Sequence, residues 1–306
     1  IWDIRGRNEI TPVPTLNKEK SVGVQLYSEG ILHPESQLIH ETLKESPMPE
    51  KKTKKKFPRI FLYILAVIAL FYAVVNLFPR PIEEHVFFSH FEEYPLVIAH
   101  AGSKLYPTDT MYAFEHYAAM GVDILEMDTN MTADGEIVVI HDKTLDRTTD
   151  GSGMVSEMTL AEIQQYDAAY HWTQDDGATY PLRGQGITIP SLREVFEAFP
   201  QYPMIIEIKQ ESPSMAGTLC DLIKEYEMEE VVMIPSFSDV AIAEFREACP
   251  GVATQPSRGE VTRFVVMNFL GLSGLTNPQY QAFGVPEEDG GIPVVTRWFI
   301  WNAHRK

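Results

Sequence analysis

The chain has 306 residues, 44% of them hydrophobic, enough for one large or two ordinary domains with a substantial core. Its 43 acidic and 25 basic residues leave a formal net charge of −18, which excludes a nucleic-acid binder in the ordinary sense, because a phosphate backbone needs a basic face. The two cysteines, Cys220 and Cys249, imply no disulfide framework; they fall on consecutive predicted helices, where a bridge is possible and two buried thiols are the expected state.

Taken in order, residues 1–47 show no hydrophobic period and many breakers, so they carry no structural assignment and are expected to be disordered or foreign to the native protein. Met48-Pro49-Glu50 resembles a natural start, which makes an upstream reading frame or an unrelated tail the expectation for residues 1–47. Residues 48–59 hold the run Lys51 to Lys56 (KKTKKK), a basic flank expected to be cytoplasmic. Residues 60–78 then contain no charge, and nineteen helical residues span roughly 28 Å, close to the hydrocarbon thickness of a bilayer. A single transmembrane helix is therefore expected, with the N-terminus inside. A cleavable signal peptide is disfavoured because no small-x-small site comes after the apolar run. A buried soluble helix is disfavoured because such helices rarely lack charge for so long. Residues 79–94 form a connector kept soluble by Glu83, Glu84, Glu92 and Glu93, so the folded domain is expected on the outer face of the cell membrane.

From Leu96 to Asp142 three apolar runs each end in groups that can do chemistry. Leu96 to Ala99 delivers His100; Asp123 to Leu125 delivers Glu126 and Asp128; Ile137 to Ile140 delivers His141 and Asp142. Short β-branched runs bounded by Gly and Asp are strand signals, and the carboxyl ends of successive strands are where α/β barrels keep their active sites. Glu126 and Asp128 lie two apart on a strand, so both carboxylates face one side. Like charges held that close need a cation to neutralise them, and hard oxygen ligands favour Mg²⁺ or Ca²⁺. Two nearby imidazoles supply a proton donor and an acceptor near neutral pH. Metal, paired imidazoles and strand-end placement together suggest phosphate-ester cleavage. Between the first two strands, Thr108 or Asp109 is expected to cap a helix with the stripe Met111, Phe114, Tyr117 and Ala118.

Residues 143–188 read as an irregular connection rich in Gly and aromatic residues, and so long a connection inside a compact domain is usually functional. Beyond it, helices are expected over 192–199, 215–228, 240–249, 261–272 and 296–305. Strands are expected over 204–209, 231–236, 252–255 and 281–285, the last being the seventh.

These motifs resemble the signature of the glycerophosphodiester phosphodiesterase family: His-Arg-Gly, Pro-Glu-Asn-Thr, Glu-x-Asp and His-Asp. Here they read His100-Ala101-Gly102, Pro107-Thr108-Asp109-Thr110, Glu126-Met127-Asp128 and His141-Asp142. Leu145 to Thr149, Ile189 to Leu192, Ile206 to Lys209 and Ser236 to Ser238 also fit in order, and eight pieces in sequence outweigh any one. The resemblance covers residues 95–306. It implies a TIM-type (β/α)8 barrel, here preceded by the one transmembrane helix expected from the apolar run, with residues 143–188 as a cap over the substrate. It implies His100 and His141 as general base and general acid, in an order the sequence leaves open. It implies Glu126, Asp128 and Glu207 as ligands of one divalent cation, Mg²⁺ or Ca²⁺, and Lys209 as a phosphate contact. Asp142 and Arg147 look like loop-ordering residues, His116, His171 and His304 like surface residues, and Trp298 and Trp301 like helix packing. The family's last strand, with Trp-Thr-x-Asn, has no counterpart, so a barrel lacking its eighth strand and helix is expected, with two unpaired edges.

Two departures bear on activity. Ala101 stands where the family has an arginine, which removes a bidentate phosphate contact, and Thr108-Asp109 stands for Glu-Asn. The expected activity is hydrolysis of a glycerophosphodiester to sn-glycerol 3-phosphate and an alcohol. The alternatives are a lysophospholipase D-type reaction on membrane lysophospholipids and a non-catalytic homologue that binds a phosphate ligand.

Overall fold

In a computed structural model, the structure describes residues 59–77, 82, 84–100 and 105–306. The expectations for 1–47, for the lysine flank before Arg59 and for Ala101 fall outside that set. The chain divides between Ile68 and Ala69 into two compact units, and the divide falls within the first helix. That helix, α1 (Arg59–Leu77), is shifted one residue from the span expected, has a mean hydropathy of 2.6, and is long and apolar enough to cross a membrane by length and composition.

The larger unit is built on a sheet. Strands β1 (Ile98–Ala99), β2 (Ile124–Met131), β4 (Met204–Ile208), β5 (Val232–Ile234) and β6 (Ala253–Thr254) pair in parallel in that order, while β3 (Ile137–Val139) pairs antiparallel with β2. Five parallel strands therefore stand where seven were expected, among the described residues. The run ending at His141 is no member of the parallel series. The turn Ala133-Asp134-Gly135 is short enough only for a hairpin, with Gly135 at φ 86°, and a parallel step would need a crossover of a dozen residues or more.

Nor does 281–285 form a strand. Gln281 donates its backbone N–H to the Thr254 carbonyl, but its side-chain Oε1 accepts the Thr254 N–H at 2.8 Å, a place a neighbouring strand's carbonyl would take. Pro286 then supplies no N–H. Next in the chain is an exposed two-stranded hairpin, β7 (Glu288–Asp289) with β8 (Ile292–Pro293).

Helices α2 (Met111–Ala119), α4 (Leu192–Ala198), α5 (Ala216–Glu225), α6 (Asp239–Ala248), α7 (Arg258–Phe269) and α8 (Arg297–Ala303) match the expected positions within a few residues. The cap of α2 is Thr110, whose hydroxyl accepts the Ala113 N–H at 3.2 Å, and neither Thr108 nor Asp109. Both α4 and α7 begin with capping boxes, Ser191/Glu194 and Ser257/Glu260. Their apolar faces and the sheet enclose a core that includes Phe114, Leu125, Met127, Phe196, Ile206, Leu219 and Phe245.

Two further expectations are corrected. Cys220 on α5 and Cys249 after α6 are joined in a disulfide, with Cα atoms 5.4 Å apart. The two helices pack as neighbours, so the thiols face each other at the distance a bridge requires. Residues 143–188 are less irregular than their composition suggests: α3 (Leu160–Ile163) is held by a Thr159/Glu162 capping box, Thr144 bridges Met154, and Leu145, Val155, Ile163 and Ala168 form a small core with Val138 and Ile140. Gly151 is required there, because a Cβ would lie 2.6 Å from the Tyr166 ring. Trp298 and Trp301 take part in helix packing as expected while staying about half exposed: they stack on each other at 4.8 Å, and Trp298 Nε1 donates to the Asn268 carbonyl of α7 at 3.2 Å.

Candidate active site

The site is set by strand register. β2 places Glu126 and Asp128 on one face, and parallel pairing sets Asp128 opposite Glu207 of β4. One ligand oxygen from each of the three carboxylates lies within 4.8 Å of the others. All three residues are buried, at 8%, 2% and 8% exposure, so the charges are held together away from water. Among the described residues this is the one such cluster found.

Lys209 bridges two of the acids, its Nζ 3.0 Å from Asp128 Oδ1 and 2.9 Å from Glu207 Oε2. Burial favours the neutral amine, but Asp128 and Glu207 outweigh it and raise the Lys209 pKa. Burial likewise raises Glu207, and the lysine offsets only part of that. Lys209 thus sits as an ion-pair partner of the carboxylates; the expected phosphate contact remains a proposal.

A cation suits this cradle. Glu207 Oε1 is buried with no hydrogen-bond partner, a cost the fold carries unless something binds it. Three carboxylates and no sulfur or imidazole make an all-oxygen donor set, which selects Mg²⁺ or Ca²⁺ over softer metals. Glu126, Asp128 and Glu207 could therefore hold a divalent ion.

The imidazoles come from loops. β1 pairs with β2 through Ile98–Ile124 and Ala99–Leu125, so the next residue, His100, falls beside Glu126, and its Nε2 lies 4.0 Å from Glu126 Oε2. His141 comes just after β3, at the mouth of the hairpin that folds back over β2. Its Nδ1 lies 2.6 Å from Asp142 Oδ1, and Arg147 Nε donates to Asp142 Oδ2 at 2.5 Å. Burial raises the Asp142 pKa, but the Arg147 and His141 bonds overcome it and hold the carboxyl below its usual value. Asp142 is thus the partner that fixes which His141 nitrogen is free, a larger part than loop ordering.

Two cavities meet here. One of about 530 Å³ is lined by Glu126, Glu207, Lys209, Ser236, Phe237 and Gln255 among others. The second, about 840 Å³, opens toward residues 143–188 and is lined by Tyr106, Arg147, His171 and Trp172 among others. His100, Asp128 and His141 border both. His171, expected to be a plain surface residue, is exposed but lines the second cavity, and Gln174 ties that wall to the Leu105 carbonyl at 3.1 Å. His116 packs on the Tyr106 and Tyr112 rings at 4.5 and 4.2 Å.

Asp109, expected as a candidate helix cap, instead reaches the carboxylate cluster. It is 4% exposed, at φ 56°, and its Oδ1 accepts the Asp128 backbone N–H at 3.2 Å. Burial and the neighbouring Asp128 charge push its carboxyl well above the usual range. An acid one residue before a helix cap was the available signal.

The chain is similar to known proteins. Residues 100–245 match the glycerophosphoryl diester phosphodiesterase family. A glycerophosphodiester phosphodiesterase of Caldanaerobacter subterraneus is 38% identical over 161 residues, covering 51% of this chain and 63% of the relative, so the chain spans less than two thirds of that protein's length. A Bacillus subtilis protein provisionally named for the same activity is 33% identical over 190 residues, covering 59% of this chain and 74% of the relative. A rat lysophospholipase D is 29% identical, covering 61% of this chain and 58% of the relative. A solved glycerophosphoryl diester phosphodiesterase domain from Mycobacterium tuberculosis overlays with a TM-score of 0.54 at 23% identity, covering 61% of this chain and 68% of that one, a likeness of fold. The architecture is accordingly a TIM-barrel-like α/β fold around a parallel sheet, and the chain belongs to the glycerophosphoryl diester phosphodiesterase family.

Proposed function

We propose that this chain is a metal-dependent phosphodiesterase that hydrolyses glycerophosphodiesters to sn-glycerol 3-phosphate and an alcohol. The observation that carries the reading is the convergence of His100, Glu126, Asp128, His141 and Glu207 on the junction of two cavities. A phosphodiester has two substituents and one reacting centre, and the junction offers a lobe for each substituent. Glu126, Asp128 and Glu207 would hold Mg²⁺ or Ca²⁺, which supplies positive charge to a phosphoryl oxygen. Lys209 adds a fixed cation beside the same oxygens and substitutes for part of what Ala101 lacks. Of the two imidazoles, one takes a proton from the attacking water as its oxygen bonds to phosphorus, and the other protonates the alcohol oxygen as its bond to phosphorus breaks. With Nδ1 of His141 committed to Asp142, its Nε2 is the working nitrogen.

The protein is further proposed to be a single-pass membrane protein with its N-terminus in the cytoplasm and this domain outside. Helix α1 supports a bilayer partner, and the Cys220–Cys249 disulfide suits an oxidising compartment. The anchor also motivates a second substrate class, lysophospholipids, cleaved in the manner of a lysophospholipase D. Hydrolysis of glycerophosphocholine and lysophosphatidylcholine by the full chain, beside His100→Ala and Glu126→Ala, tests the proposal. Loss of turnover in both variants is expected. Wild-type protein inert on both substrates would leave a phosphate-ligand sensor as the better reading, and full activity in His100→Ala would remove the acid–base assignment.

A further inference from the structure

Glu126 and Asp128 share their face of β2 with a third polar residue, Asn130, two positions further along. Asn130 is 1% exposed, and its amide Nδ2 donates to the Ile140 carbonyl at 2.8 Å and to the Asp142 carbonyl at 3.3 Å. Those are the residues immediately before and after His141. The same stretch of β2 also holds Ile140 from its other side, the Ile140 N–H donating to the Asp128 carbonyl at 2.8 Å. His141 is thereby held through the residue on each side of it by the strand that carries two of the three clustered carboxylates. Asp142, the residue that fixes the imidazole, is part of the same grip.

We infer that Asn130 is a positioning residue for His141, locking the imidazole in register with the carboxylate cluster; the inference rests on the phosphodiesterase reading. The alternative, that Asn130 is merely a packed polar residue, meets a specific difficulty. Its Oδ1 is buried with no hydrogen-bond partner. A residue kept only for shape would gain by losing that oxygen, whereas one kept for two amide protons must carry it. The β2–β3 pairing does only half of this work: past its last pair, Thr129 with Val139, the Ile140 N–H bond to Asp128 holds the residue before His141, and the Asp142 carbonyl is left to Asn130.

The test compares the full chain with Asn130→Ala and Asn130→Asp; the second keeps the shape and lacks the amide protons. Both variants should lower kcat about 10- to 100-fold, the effect of a roughly 1 Å misplacement, with KM and Mg²⁺ or Ca²⁺ affinity nearly unchanged. The pH limb that disappears in His141→Ala should move in both. In parallel, the His141 imidazole ¹⁵N signals should show loss of the single fixed tautomer, a readout that stands whether or not the protein turns over. Wild-type kcat and pH profile in either variant, or unchanged imidazole signals, would overturn the inference. A loss that tracks metal affinity would also overturn it, because Asn130 would then act on Asp128 rather than His141. Wild-type protein without turnover but with altered imidazole signals in the variants would instead count against the phosphodiesterase reading alone.

Discussion

The carboxylates and the imidazoles of this site are held in opposite ways. Glu126, Asp128 and Glu207 stand on adjacent strands, almost wholly buried, fixed by backbone register. His100 and His141 stand on segments that leave strands, their side chains 72% and 51% exposed, beside carboxylate partners. Groups that must carry charge permanently need a rigid frame, because nothing but geometry and a counter-ion offsets their repulsion. Groups that exchange protons need access to substrate, and their orientation is delegated to neighbours such as Asp142 and Arg147. Errors in the two regions should therefore have different signatures: lost metal affinity in one, lost kcat in the other.

The comparison can be broken from its strongest side first. Glu126→Ala or Asp128→Ala should abolish divalent-cation binding by calorimetry together with turnover, whereas His141→Ala should leave binding intact and lower kcat by about 10²- to 10⁴-fold, the usual share of a proton-transfer group. Next, Lys209→Met removes the cation that pairs with Asp128 and Glu207, leaving buried charges uncompensated. The metal-free protein should lose roughly 3 kcal/mol, the lower end for breaking a buried pair because Lys209 is partly exposed, and added Ca²⁺ should restore most of it. Denaturant unfolding with and without cation measures both.

Cleaving the Cys220–Cys249 bridge probes a region away from the chemistry. Cys220→Ser should cost about 2–4 kcal/mol in urea unfolding without changing cation affinity.

A smaller effect concerns pH. Glu207 and Asp109 have raised values in the metal-free fold, so the folded state binds their protons more tightly than the unfolded chain. Stability of the metal-free protein should therefore rise as pH falls through those raised values toward the ordinary carboxylate range, and be lost again as pH rises. Asp142 works the other way: its contribution is present above the ordinary value and is lost as pH falls through its lowered one. Chemical denaturation of metal-free protein from pH 8 to pH 4 should show the first trend, and Glu207→Gln should flatten it.

The sequence made legible what depends on local spacing: paired acids on a strand, imidazoles at run ends, and the positions of the helices, though the cap of α2 fell on Thr110 rather than Thr108 or Asp109. It joined the second and third strands through the Ala133-Asp134-Gly135 turn, but it still counted the third among the barrel strands. The run before His141 carries the same apolar signature as a parallel strand, and only the short turn at Gly135 separates a hairpin from a crossover. Asp109 and Asn130 were illegible for a related reason, since an acid or amide acquires its role from the backbone atom it reaches across the fold. Gln281 shows the converse, a side chain occupying a ladder position that the hydrophobic pattern assigned to a strand. The bridge between Cys220 and Cys249 required knowing that α5 and α6 are neighbours in space.

The central claim is that one divalent cation and two histidines act on a phosphodiester at the meeting point of the two cavities. The most direct measurement is release of glycerol 3-phosphate from glycerophosphocholine by the full chain before and after chelation. Turnover should vanish on chelation and return with Mg²⁺ or Ca²⁺; turnover indifferent to chelation would contradict the account.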